Sequence, residues 1–159
     1  MRRLSITLAA VLTAASIIAL VMGGVAGAKS KNYTALALST STAITATGDA
    51  TTKSGALNKA YRQCDSTAYN DYPDIYTGDC GVVVWVKNGW VAAAFESTLE
   101  GPPFDPASPP SYGSGWGQTK ADAKFWALDQ CESEAGEGCT VDRTDRTRYY
   151  NPSVDAIGP

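Results

Sequence analysis

The 159-residue chain contains no histidine, and that one absence removes a large share of enzyme chemistry. Without imidazole there is no Ser-His or Cys-His nucleophile pair, no histidine metal ligand, and no side chain whose ordinary pKa suits a general base near neutrality. Basic residues are scarce too. Lys and Arg number 13 against 16 Asp and Glu, and the densest basic group is Arg143, Arg146 and Arg148. Such a chain lacks the cationic footprint that a phosphate backbone requires, so nucleic acid is not an expected partner. Cysteine is limited to four residues with no Cys-x-x-Cys pair, which argues against zinc and against dithiol exchange. The composition therefore gives no sign of a metal site and leaves carboxylates as the side chains to consider for acid-base chemistry.

Long apolar runs are missing except at the start. Arg2 and Arg3 lead into an uncharged stretch from Leu4 to Met22 and then into Gly23 to Ala28, the layout of an export signal. Ala26 and Ala28 fit the small-x-small cleavage rule, so residues 1–28 are read as a signal peptide and the mature chain as starting at Lys29. An uncleaved anchor is the alternative, since nineteen uncharged residues can just span a bilayer, but Thr7, Thr13 and Ser16 weaken it. Loss of Arg2 and Arg3 takes the net charge from −3 to −5. The expected location is secreted or cell envelope, without membrane attachment after cleavage. In that oxidising setting an even number of cysteines in a small domain implies disulfides.

What the chain does have is an internal repeat. Thr45–Cys64 set over Tyr112–Cys131 gives seven identities in twenty, namely Gly48/Gly115, Thr52/Thr119, Lys53/Lys120, Ala56/Ala123, Ala60/Ala127, Gln63/Gln130 and Cys64/Cys131. Unrelated segments of average composition would share about one or two. Ala46, Gly48 and Ala50 lie opposite Gly113, Gly115 and Gly117, a strand period with one bare face. Upstream, Tyr33–Leu38 aligns with Trp90–Phe95 and places Ala35 and Ala37 over Ala92 and Ala94. The ten-residue stretch Gly101–Pro110, stiffened by five prolines, is read as an insertion that takes up the difference between the two alignment offsets of 57 and 67 residues.

Each copy reads as strand, strand, helix, strand. Lys53–Cys64 and Lys120–Cys131 carry alanines four apart on one stripe, with Thr51 or Thr52 and Thr119 as N-caps. Val82–Val86 is the following strand, and Asn88-Gly89 is expected to be a hairpin turn into Trp90. Bare helices can press closely on bare strands, which predicts an α+β fold. Two pseudo-repeated units, about 32–89 and 90–148, put two helices on an antiparallel sheet within one domain spanning 29–150. Residues 149–159 are read as a flexible C-terminal tail. Three disulfide pairings are possible. Repeat logic joins each helix end to the next cysteine, Cys64 to Cys80 and Cys131 to Cys139.

The order of these features also resembles a known family. Ala35-Leu-Ala37, Gly115-Trp-Gly117 before a helix, Ala-x-x-x-Ala-x-x-x-Cys, and Cys80-x-Val-Val before Asn88-x-x-x-Ala92 are similar to the bacterial exported family catalogued as domain of unknown function number 4189. The likeness covers about residues 32–142. It implies a secreted protein with no cofactor and no established catalytic residues. Trp90 stands where members of the family place a further cysteine.

For function, the segment from Tyr69 to Asp79 draws attention. It gathers Asp71, Asp74 and Asp79 among Tyr69, Tyr72 and Tyr76, and no positive charge occurs from Asp65 to Asp79. Tethered by a disulfide, acid plus tyrosine suits contact with a cationic partner, an unidentified extracellular protein or peptide. The other reading of that segment is a solvated surface loop, with the face around Trp116 as the next site to consider. The expected role is a binding protein, such as an inhibitor or a host- or competitor-directed effector. The alternatives are a passive envelope component and a carboxylate-only hydrolase of cell-wall sugars, using pairs such as Glu132 and Glu134 or Asp142 and Asp145. Those pairs are read as surface charge, and the four tryptophans mostly as core.

N-terminal sequencing of the exported protein should begin at Lys29. A product that begins at Met1 and fractionates with membranes would contradict the signal-peptide reading.

Overall fold

The computed structural model describes residues 32–97, 110–135, 138–148 and 155–159. The expected signal peptide with Ala26 and Ala28, most of the Pro-rich stretch and residues 149–154 lie outside them. The first unit comprises β1 (Tyr33–Leu38), β2 (Thr45–Ala50), α1 (Lys53–Asp71) and β3 (Gly81–Lys87). The second repeats the order with β4 (Trp90–Glu96), β5 (Tyr112–Gly117), α2 (Lys120–Ala135) and β6 (Cys139–Arg146).

The antiparallel strands divide into two three-stranded sheets, β2-β1-β3 and β5-β4-β6, one from each unit. Registers match across the duplication: Ala35 faces Gly48 in the first unit and Ala92 faces Gly115 in the second. Even the bulges coincide, falling after Leu36 against β3 and after Ala93 against β6.

Each central strand is buried on both faces. Ala35 and Ala37 turn toward α1, while Leu36 joins Val84, Val86, Val91 and Ala93 between the sheets. Ala92 and Ala94 turn toward α2. The order of layers is helix, sheet, sheet, helix, and the two helices occupy opposite outer faces.

The helices start where their caps dictate. Thr52 Oγ1 accepts from Gly55 N at 3.1 Å, and Thr119 Oγ1 accepts from Asp122 N at 3.1 Å. Asp122 Oδ2 accepts from Thr119 N in return, which closes a capping box. Both helices run past the cysteines at which the sequence reading ended them. In α1, Ala68 continues the stripe of Ala56, Ala60 and Cys64, and all four are fully buried. The helix stops before Pro73, whose ring forces Tyr72 out of helical geometry.

The two disulfides join Cys64 to Cys80 and Cys131 to Cys139, the pairing expected from the repeat, with Cα separations of 6.0 and 6.1 Å. Each helix sulfur also lies 3.8 Å from an equivalent carbonyl oxygen, Ile44 O or Ser111 O.

Two expectations require correction. Asn88-Gly89 is not a hairpin turn, because β3 pairs with β1 and β4 with β5 and β6. The dipeptide instead carries the chain from one sheet to the other. Asn88 takes φ 55°, and a Cβ at Gly89 would lie 2.7 Å from Gly117 O. The Asn-Gly signal reported the left-handed backbone correctly but not its tertiary use. The second correction concerns the C-terminal segment, whose end is docked. Ile157 exchanges backbone hydrogen bonds with Lys87 at 2.7 and 3.0 Å, Ala156 packs into the core between the sheets, and Gly158 lies against the Trp116 ring.

The close helix-to-strand approach generates a stability prediction. A Cβ at Gly115 would lie 2.2 Å from Ala123 O and 2.5 Å from Ala127 N, whereas one at Gly81 meets nothing within 4 Å. Gly115→Ala should therefore cost about 1–3 kcal/mol in urea unfolding and Gly81→Ala should cost nothing measurable. Equal stability of the two variants would contradict the packing described.

Candidate binding surface

The acidic tyrosine segment is only partly a loop. Tyr69 and Asp71 belong to the last turns of α1 and Tyr72 is its C-cap, its N–H donating to Ala68 O at 3.0 Å. Only Tyr72 to Asp79 forms the connection to β3. Within the segment the side chains separate into two groups. Tyr69, Asp71 and Asp74 are exposed and Tyr72 is half-buried, whereas Tyr76 and Asp79 are committed to the scaffold.

The Tyr76 hydroxyl donates to Asp65 Oδ1 at 2.6 Å and its ring packs on the core of the first unit. Burial and the donated bond to Asp65 push its pKa up to about 12. Asp79 reaches back to the turn between β1 and β2. There its carboxylate accepts from Ser39 Oγ (2.8 Å), Thr40 Oγ1 (2.7 Å), Ser41 N (2.8 Å) and Ser41 Oγ (2.9 Å). Burial alone would raise its pKa, but these four donors outweigh it and bring the group down to about 2. Asp79 thus fastens the residue before Cys80 to the β1–β2 turn, at the end of the sheet where Leu38 pairs with Gly81.

Three of the tryptophans are likewise built into the scaffold. Trp85 lies under Lys53 Nζ at 3.8 Å, Trp90 under Lys120 and Arg146 at 5.9 and 5.5 Å, and Trp116 is half-buried against the core between the sheets. Trp126 departs from the expectation that the tryptophans are core. It is 55% exposed, beside Phe125 at 59%, with the rings edge to face at 5.1 Å. The helical period explains this, since Ala123, Ala127 and Cys131 take the inward stripe and leave positions 125 and 126 outside.

Trp126 borders an open groove of about 520 Å³ between α2 and the edge strand β5, together with Trp116, Asp122, Asp129, Gln130 and Ser114. Gln130 Oε1 accepts from Ser114 N at 2.9 Å and so closes part of the strand edge. The first unit has an equivalent groove of about 440 Å³ lined by Gly55, Asn58, Lys59, Arg62 and Gln63. By the repeat alignment, Gly55 corresponds to Asp122, Lys59 to Trp126, Arg62 to Asp129 and Gln63 to Gln130. The same backbone thus presents one basic groove and one acidic, aromatic groove. Among the described residues no basic side chain lines the second. The pairwise comparison of the repeats could have exposed this difference from sequence, had the divergent positions been weighed as heavily as the identities.

The carboxylate pairs are dispersed in role. Glu132 and Glu134 are exposed near the end of α2. Asp142 and Asp145 accept from Thr45 Oγ1 and Thr47 Oγ1 at 2.8 and 2.6 Å, tying β6 to β2 across the two sheets. Among the described residues no group of acidic or cysteine side chains has the arrangement of a metal site. Among them, too, no helix is long and apolar enough to cross a membrane.

These features define the class: a disulfide-stapled α+β duplication with unlike outer helix faces. The family model described as Domain of unknown function (DUF4189) matches residues 33–145, and the chain belongs to that family. The match runs from the first residue of β1 to the penultimate residue of β6, so the family unit is the whole duplication. Neither the curated proteins nor the solved structures include a match to this chain.

The carboxylate of Asp79 supplies a pH test. Its folded pKa lies below the ordinary 3.8, so its stabilisation is complete above that value and is lost as pH falls through about 2. Urea unfolding of the wild type should weaken across that interval, and Asp79→Asn should remove this component while being less stable at neutral pH. Parallel pH profiles for the two proteins would contradict the assignment.

Proposed function

We propose that this protein is an exported binding module that engages a basic extracellular protein or peptide through the outer face of α2. The observation that carries the reading is the comparison of twin grooves. Two copies of one unit share threonine caps, disulfide, register and bulge, so the side chains that differ at equivalent surface positions are not needed by the shared scaffold, although Asp122 also closes the capping box of α2. In the second unit those side chains are Asp122, Trp126 and Asp129. An exposed indole flanked by carboxylates suits lysine or arginine side chains, through the ring face and through charge.

Of the acidic tyrosine segment, Tyr69, Asp71 and Asp74 remain available as an accessory contact, whereas Tyr76 and Asp79 are engaged internally. Export is supported by the two disulfides and by the leader. An inhibitor or effector role fits a stapled surface of this kind.

Binding of a fluorescein-labelled Lys/Arg-rich decapeptide to the mature protein tests the reading. Affinity should fall at least tenfold between low and physiological salt and again in the Asp122→Asn, Asp129→Asn double variant. Binding that is indifferent to both changes, or absent in the wild type at low salt, would contradict it.

A further inference from the structure

We propose that an occupant of the acidic, aromatic groove of the second unit is the basic outer face of α1 in a second copy of this chain, so that copies associate head to tail. The inference rests on the binding reading above and names a partner for that surface. Its basis is complementarity between two surfaces that are both present on one molecule.

The α1 groove offers Lys59 and Arg62, and the α2 groove offers Asp122 and Asp129. The side chains of Lys59, Arg62 and Asp129 form no ion pair with any other described residue. The exposed large apolar side chains concentrate on the same two helices, Tyr61 and Tyr69 on α1 and Phe125 and Trp126 on α2. Tyr69 stands two helical turns beyond Arg62, on the same side of α1. Each groove therefore lies on a helix that also exposes aromatic area, and the charges lining the two grooves are opposite in sign. Aromatic burial supplies attraction, while the charges select the unlike face and repel the like one.

Position in the fold decides the form of assembly. The two helices lie on opposite outer layers, so one molecule offers both faces at once. Contact between unlike faces is heterologous and continues from copy to copy, giving an open chain or a ring instead of a closed twofold dimer.

The duplication itself provides the test, because each groove can be given its twin's residues. Trp126→Lys with Asp129→Arg makes a protein with two basic grooves. Lys59→Trp with Arg62→Asp makes one with two acidic, aromatic grooves. Both sets lie on exposed helix positions already compatible with this backbone, and circular dichroism with urea unfolding verifies that each variant folds.

In sedimentation velocity at low salt, the wild type should show a weight-average mass that rises with concentration beyond the dimer and falls back as salt is added. Each variant alone should sediment as a monomer, and an equimolar mixture of the two should recover association. A wild type that stays monomeric up to millimolar concentration, or a mixture that associates no more than its components, would overturn the inference. If that same wild type still binds the basic decapeptide, the binding reading stands and only the self-association fails. If it binds neither, both fall.

Discussion

A methyl group on Gly48 would lie 2.4 Å from Ala60 N, and one on Gly115 would lie 2.2 Å from Ala123 O. Each helix backbone rests directly on the neighbouring strand, and most of the remaining architecture follows from that approach. It requires alanine or glycine at alternate strand positions and alanine at every fourth helix position, which is the pattern the repeat preserves. The cost is a thin interface, because alanine and glycine bury little apolar area per residue. Two disulfides offset this. Loops with sequence separations of 16 and 8 each contribute about 2–3 kcal/mol in the chain-entropy account. Asp79 adds a polar fastening in the first unit.

A scaffold held from the inner side of its helices leaves the outer sides free to diverge. Caps, registers, bulges and sulfur contacts are duplicated, whereas the groove beside each helix is not: Lys59 and Arg62 occupy the places of Trp126 and Asp129. The molecule thus contains its own control, a second copy of the same backbone on which those side chains were replaced without loss of the fold. Function is sought at that difference.

Much of the fold was legible because the constraint is written in residue size at fixed spacing. The alignment of Thr45–Cys64 with Tyr112–Cys131 located the strands, the helices and the disulfide pairing. Its failures have physical causes. Treating cysteine as a helix end overlooked Ala68, one turn further along the same buried stripe, and so converted helix into loop. The Asn88-Gly89 signal describes backbone dihedrals and cannot say whether the flanking strands pair with each other. Asp79 was grouped with exposed acids because its partners, Ser39 to Ser41, lie some forty residues upstream and meet it only through β1–β3 pairing. Trp126 was weighed by its size, when its place off the alanine stripe was the stronger signal.

The claim that binding resides where the units differ has a direct test in amide chemical-shift mapping of the mature protein titrated with a Lys/Arg-rich decapeptide. Shifts should cluster at residues 114–117 and 122–130 and be small at their counterparts, 47–50 and 55–63. Equal shifts in both units, or shifts confined to residues 69–79, would contradict the account.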